Sequence, residues 1–172
     1  MLLMGTAVLI SVEEYLTTAY SPDCDYLDGV VLERNLGEQD HSNVQMELAL
    51  YLGGLRKKLG IHVFPEQRVQ VKPTRFRVPD ICVIAGPKPD EQIFTHPPFL
   101  CIEILSKDDR MSEMEERIDD YLAFGVPYVW LLNPKTKRAQ VYTAEGMREA
   151  KQGVLRTENP EIVVPLAEIF SA

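Results

Sequence analysis

Arg77-Val78-Pro79-Asp80-Ile81-Cys82-Val83-Ile84, followed further along the chain by Phe99-Leu100-Cys101-Ile102-Glu103-Ile104-Leu105, carries the reading of this sequence. Both stretches are short, rich in β-branched and apolar residues and bounded by prolines, the pattern of strands buried on both faces. Each carries one acid where a core residue would otherwise stand. Burying an unpaired carboxylate costs several kcal/mol, so Asp80 and Glu103 each need a partner. Side chains alternate along a strand, so Glu103 shares a face with Cys101 and Leu105, and Asp80 at the start of a neighbouring strand can approach it. Two converging carboxylates make the oxygen half-shell that Mg²⁺ or Mn²⁺ prefers, with positions left for water and a phosphate oxygen. A purely structural pairing of Glu103 with an internal Arg or Lys is the competing reading.

Outward from this stretch, strands are expected over Ile61 to Phe64, Arg68 to Lys72, Asp80 to Ala85 and Phe99 to Leu105. Val44, Leu48, Tyr51, Leu52, Leu55 and Leu59 recur at helical spacing, predicting a long helix from Ser42 to Leu59 that Asp40 or Ser42 caps and Gly60 ends. A second helix is predicted from about Ser112 to Phe124, stopped by Gly125 and Pro127. Tyr128 to Leu132 then reads as a central strand, and the Asn133 to Lys137 turn returns Arg138 to Tyr142 beside it. Near the start, Ser11 and Glu14 form a capping-box pattern for a helix over Val12 to Tyr20, and Asp28-Gly29 marks a hairpin between Tyr26 and Leu32. The order predicts an α/β fold with one mixed sheet and a helix on each side.

Composition excludes several function classes. At 172 residues, 45% hydrophobic and 26% charged, the chain can bury a core without disulfides or structural metal. Its three cysteines, Cys24, Cys82 and Cys101, are odd in number and lack CxxC spacing, which fits a reducing, cytoplasmic location. Met1 to Ile10 is apolar but has no basic n-region and is too short to span a bilayer, so neither a signal peptide nor a membrane segment is expected. His62 and His96 lack ligand spacing for zinc, and neither a phosphate-binding Gly-rich loop nor a Gly-x-Ser-x-Gly elbow is present, so no organic cofactor is expected.

The net charge of -8 argues against bulk attraction to nucleic acid, yet it is unevenly spread. Ser11 to Leu55 holds nine acids and one base, Arg34, whereas residues 56 to 80 hold seven bases against two acids. Arg68, Arg75 and Arg77 in the second segment are therefore candidate contacts to a phosphate backbone, with His41 before the long helix as a further one. A solvated basic face is the competing assignment. Gln67 and Arg68 are candidates to orient water or touch the backbone. Glu47 lies about 40° from Tyr51 around the long helix, which makes it a third metal-ligand candidate or a boundary glutamate. Tyr26, Trp130 and Tyr142 are candidate aromatic surface for a homodimer.

The order Pro79-Asp80, a gap, Glu103 in an apolar strand and then a helix resembles the PD-(D/E)XK nucleases. Tyr26 to Gly29, His41, Arg77-Val78-Pro79-Asp80, Glu103-Ile104-Leu105-Ser106, and Tyr121 through Gly125-Val126-Pro127-Tyr128-Val129-Trp130 together resemble the Uma-two family of restriction-endonuclease-like proteins. The resemblance covers nearly the whole chain. It implies one restriction-endonuclease-like domain over residues 1-172, with residues 1-25 as a lead-in and 26-172 as the core. It further implies a divalent metal, Mg²⁺ or Mn²⁺, held by Asp80 and Glu103 with Glu47 assisting, and hydrolysis of DNA phosphodiester bonds. Leu105 stands where the superfamily has its lysine; in the Uma-two pattern the cation comes from the following helix, and the matching position is Arg117. Lys107 is a second candidate for that role, and an exposed ion pair from Arg117 to Glu113 or Asp120 is its structural alternative. A catalytically weak or inactive module that binds nucleic acid or protein on the same fold is the competing function.

Overall fold

A computed structural model describes residues 8–34 and 37–170. The apolar start read above lies, through residue 7, outside them. Helix α1 (Val12–Thr17) opens with the Ser11 hydroxyl accepting from the Glu14 amide at 3.0 Å, as the capping box predicts. It stops at Thr17 rather than Tyr20, because the Thr17 and Thr18 hydroxyls donate to the Glu13 and Glu14 carbonyls and end the regular turn. Strands β1 (Asp25–Leu27) and β2 (Val30–Leu32) form the predicted hairpin about Asp28-Gly29, with Asp28 at φ 49° and Gly29 at φ 100°.

The expected long helix is divided into α2 (Gln39–Gly54) and α3 (Arg56–Leu59), because Gly53 and Gly54 weaken the helix just before Leu55. Gly60, left-handed at φ 63°, ends α3. Strands β3 (Ile61–Pro65), β4 (Val69–Lys72), β5 (Arg75–Arg77), β6 (Ile81–Ala85) and β7 (Leu100–Ile104) follow. Then come α4 (Met111–Phe124), β8 (Tyr128–Asn133), β9 (Arg138–Thr143), β10 (Gly146–Glu149), a 3-10 turn, β11 (Val154–Arg156), β12 (Val163–Pro165) and α5 (Leu166–Phe170).

Six strands make the main sheet in the order β10-β9-β8-β7-β6-β3, and only β7 and β8 run parallel. A four-stranded antiparallel sheet, β2-β1-β5-β4, and the β11-β12 pair complete the described residues. The expected single sheet is thus correct for the centre and incomplete at its margins. Strand β5 escapes sequence reading because Arg75 and Arg77 interrupt its apolar alternation.

Both faces of the main sheet are covered, which is why its strands read as continuous apolar runs. On one face Ile81, Val83, Leu100, Ile102, Ile104, Trp130 and Leu132 pack with Val44, Leu48 and Leu52 of α2 and with α5. On the other, Cys82, Cys101, Val129 and Leu131 pack with Met114, Ile118 and Tyr121 of α4 and with β4. Tyr15 seats α1 on Tyr26 and Phe76 of the second sheet. Burial of Tyr26 and Trp130 removes both from the expected aromatic dimer surface; Tyr142 is half-buried.

Candidate active site

Strands β6 and β7 pair antiparallel with Ile81 opposite Ile102 and Cys82 opposite Cys101. Continued by one residue, that register sets Asp80 opposite Glu103 at the end of the ladder, beside a cavity of about 490 Å³. Both line it, and each is only 2% exposed.

Every oxygen of Asp80 is engaged. Its Oδ1 accepts from Arg34 Nη2 at 2.5 Å, and its Oδ2 accepts from the Ile104 amide at 2.7 Å with His41 Nε2 at 3.3 Å. Gln45 Nε2 donates to the Asp80 carbonyl at 3.0 Å. Burial would raise the Asp80 carboxyl, but the His41 hydrogen bond and the Arg34 charge outweigh it and hold the group below the usual carboxylate range. Asp80 is an anion at neutral pH.

Glu103 projects from the opposite side of the pair toward α4. Tyr121 donates its hydroxyl to Oε1 at 2.6 Å, and Arg117 Nη1 lies 3.4 Å from both carboxylate oxygens. Here burial wins: it pushes the Glu103 pKa up to about 7, with the nearby Asp80 charge acting in the same direction and Arg117 opposing. A carboxyl raised on folding binds its proton more tightly in the native chain than in the unfolded one. Its contribution is fully present below the unfolded value near 4.5 and is lost as pH rises through about 7. In metal-free buffer the stability difference between the parent and Glu103→Gln is therefore expected to shift against the parent from pH 4.5 to pH 7, read by urea denaturation; a flat difference would contradict it.

A third buried acid completes the cluster. Asp25 accepts from the Val78 amide at 3.0 Å, from Arg77 Nη1 at 3.1 Å, and lies 2.9 Å from Arg117 Nη2. Arg117 thus bridges Asp25 and Glu103, not the exposed Glu113 or the buried Asp120. Sequence reading counted Asp25 and Arg34 only as charges; the signal available was Asp25 beside the hairpin strand and Arg34 as the lone base among nine acids.

The other candidates lie elsewhere. Glu47 sits about 160° around α2 from Gln45, half-buried and away from the flank that carries His41 and Gln45 to Asp80. Lys107, with its side chain 66% exposed, pairs with Glu38 at 2.8 Å. Arg68 donates to both oxygens of Asp23 at 2.7 and 2.6 Å and stacks 4.6 Å over the Tyr15 ring. Arg75 meets Asp28, Glu116 and Asp120. Arg77, 2% exposed, is fixed between Asp25 and Asp120. These three arginines are spent on acids of the fold and present no basic face, because Asp23, Asp25 and Asp28 from the acidic segment and Glu116 and Asp120 from α4 fold onto them. Gln67 donates to the Arg68 and Gln92 carbonyls. Among the expected phosphate contacts His41 and Arg77 line the cavity, and of the two His41 touches Asp80.

Among the described residues no three His, Cys, Asp or Glu side chains are arranged to hold a metal ion. Asp80 and Glu103 supply two carboxylates, and a guanidinium stands against each of them. Carboxylate oxygens are the donors a hard divalent cation prefers, so these two would hold one with water completing the shell once the guanidiniums give way.

No curated protein matches the chain. Among solved structures it is similar to a protein from Anabaena variabilis ATCC 29413 whose title reads "putative nuclease belonging to DUF820". The two share 23% identity over 94% of this chain and 98% of the other, with a TM-score of 0.81, which establishes a common fold. No helix among the described residues is long and apolar enough to cross a membrane. The sequence profile of Uma2, described as "Putative restriction endonuclease", matches residues 12–170, taking in Asp25, Arg34, Asp80, Glu103 and Arg117. The chain belongs to the Uma2 family.

Proposed function

We propose that this chain is a metal-dependent endonuclease that hydrolyses DNA phosphodiester bonds. The observation that carries the reading is the placement of two buried carboxylates, Asp80 just before β6 and Glu103 in β7, on the wall of one cavity. Acids in a dry interior are costly, and a cavity that gathers them with arginines is a site for a cation and a phosphate. Asp80 and Glu103 would hold Mg²⁺ or Mn²⁺, which when bound lowers the pKa of water and polarises a phosphoryl oxygen.

The remaining chemistry belongs to the chain. The Ile104 amide and His41 orient Asp80, and Tyr121 orients Glu103. Asp25 positions Arg117, whose guanidinium stabilises charge that develops on the scissile phosphate. An arginine does not lose its proton, so Arg117 supplies charge and takes no part in proton transfer. Free buried cysteines support action in the cytosol. A homodimer would bring two sites to the two strands of a duplex.

The module reading draws support from one observation, the Arg34 guanidinium that neutralises Asp80. Calorimetric titration of the purified chain with Mn²⁺, followed by cleavage of supercoiled and single-stranded DNA in the same samples, separates the two. Mn²⁺ binding together with cleavage supports the nuclease. Absence of Mn²⁺ binding sinks it in favour of the module.

A further inference from the structure

We propose that Arg34 is a phosphate contact held in reserve on Asp80: its guanidinium occupies that carboxylate in the free protein, yields it to the divalent cation, and transfers to the phosphodiester of the substrate. The proposal rests on the nuclease reading and adds a substrate contact to it.

Four arginines line this cavity, Arg34, Arg77, Arg110 and Arg117; Arg34, Arg77 and Arg117 pair with buried acids, and the anchoring of these three differs. Arg77 lies in β5 between two buried acids, Asp25 and Asp120. Arg117 lies in α4 between Asp25 and Glu103. Arg34 belongs to neither a helix nor a strand, since β2 ends at Leu32. It has one buried partner, Asp80, and one half-exposed partner, Glu66, at 3.6 Å. Its side chain is 11% exposed and lines the cavity. Of the three, Arg34 is thus the cation on an irregular segment with the least holding it.

Charge balance indicates when it leaves. Asp80 already faces Arg34 and His41, so the positive charge it needs in the free protein is supplied before any ion arrives. A divalent cation adds two positive charges at the carboxylate that Arg34 occupies, and like charges so close repel strongly where water is scarce. An arriving phosphodiester brings the anion that a guanidinium binds bidentately through two parallel N–H···O bonds. Arg34 can then exchange one oxyanion for another without leaving the cavity, whereas Arg77 and Arg117 would each have to abandon two buried acids.

The test uses the full chain with Arg34→Met and Arg34→Lys. Mn²⁺ affinity is read by calorimetry, and binding of a labelled DNA duplex by fluorescence anisotropy in saturating Ca²⁺. Arg34→Met is expected to bind Mn²⁺ about tenfold more tightly and DNA about tenfold more weakly, the scale of one hydrogen bond to a charged group. Arg34→Lys should fall between the parent and Arg34→Met in both. Without metal Arg34→Met should melt at a lower temperature, because Asp80 loses its counter-charge, and Mn²⁺ should restore the melting temperature. Parent protein that binds Mn²⁺ while Arg34→Met binds it no more tightly, or binds DNA equally well, overturns the role of Arg34 alone. Parent and variants that all fail to bind Mn²⁺ overturn the nuclease reading and this proposal together. An Arg34→Met chain that stays unfolded in saturating Mn²⁺ also overturns it, since the ion then cannot replace the guanidinium on Asp80.

Discussion

Asp80→Asn is expected to abolish Mn²⁺ binding and to lower metal-dependent DNA cleavage by about 10³-fold or more, the scale on which a single group that organises transition-state charge acts. The substitution keeps the shape of the side chain and a carbonyl oxygen able to accept from the Ile104 amide, so the junction of β6 and β7 stays intact. What it removes is the negative charge that Arg34 and His41 now surround. Far-UV circular dichroism should therefore match the parent while the calorimetric heat of Mn²⁺ binding disappears. Cleavage at the parent rate would remove Asp80 from the chemistry, whatever the metal does.

Arg77→Met should have the largest effect on stability, a loss of about 3–5 kcal/mol, the usual consequence of removing one partner from a buried ion pair. Asp25 and Asp120 would both stay in the interior with less compensation, and Asp25 also holds Arg117 and the Val78 amide. Urea denaturation measures this directly. A change below about 1 kcal/mol, with DNA binding weakened instead, would return Arg77 to the exposed backbone-contact role that its place in a basic segment suggested.

The contrast between these two residues explains how much of the site was legible. Asp80 and Glu103 stand out because each breaks an apolar run, and strand alternation alone sets Glu103 on the face of Cys101, where α4 covers it. Arg117 could be reached only through family resemblance, since nothing in α4 distinguishes it from a surface arginine until Asp25 and Glu103 are brought to it. Arg68, Arg75 and Arg77 misled for the opposite reason. A run of bases looks the same on paper whether it faces water or faces acids that sit some forty or fifty residues earlier in the chain. Glu47 misled because helical periodicity identifies a buried stripe but not which flank of it turns toward the site. The elements after Tyr142 were not foreseen; β10, β11, β12 and α5 are short and draw their order from packing rather than pattern.

By itself the sequence determined the local elements: the two-residue hairpin at Asp28-Gly29, the helices that Gly60 and Gly125 end, and the buried strands that bear the two acids. These follow from interactions within a few residues, namely side-chain period, capping and the backbone freedom of glycine. Only the tertiary structure decided which charges meet. The antiparallel register of β6 and β7 set Asp80 against Glu103, the hairpin strand delivered Asp25 between Arg77 and Arg117, and the segment after β2 laid Arg34 on Asp80. Such pairings join residues far apart in the chain and depend on register and sheet order, which no local pattern encodes.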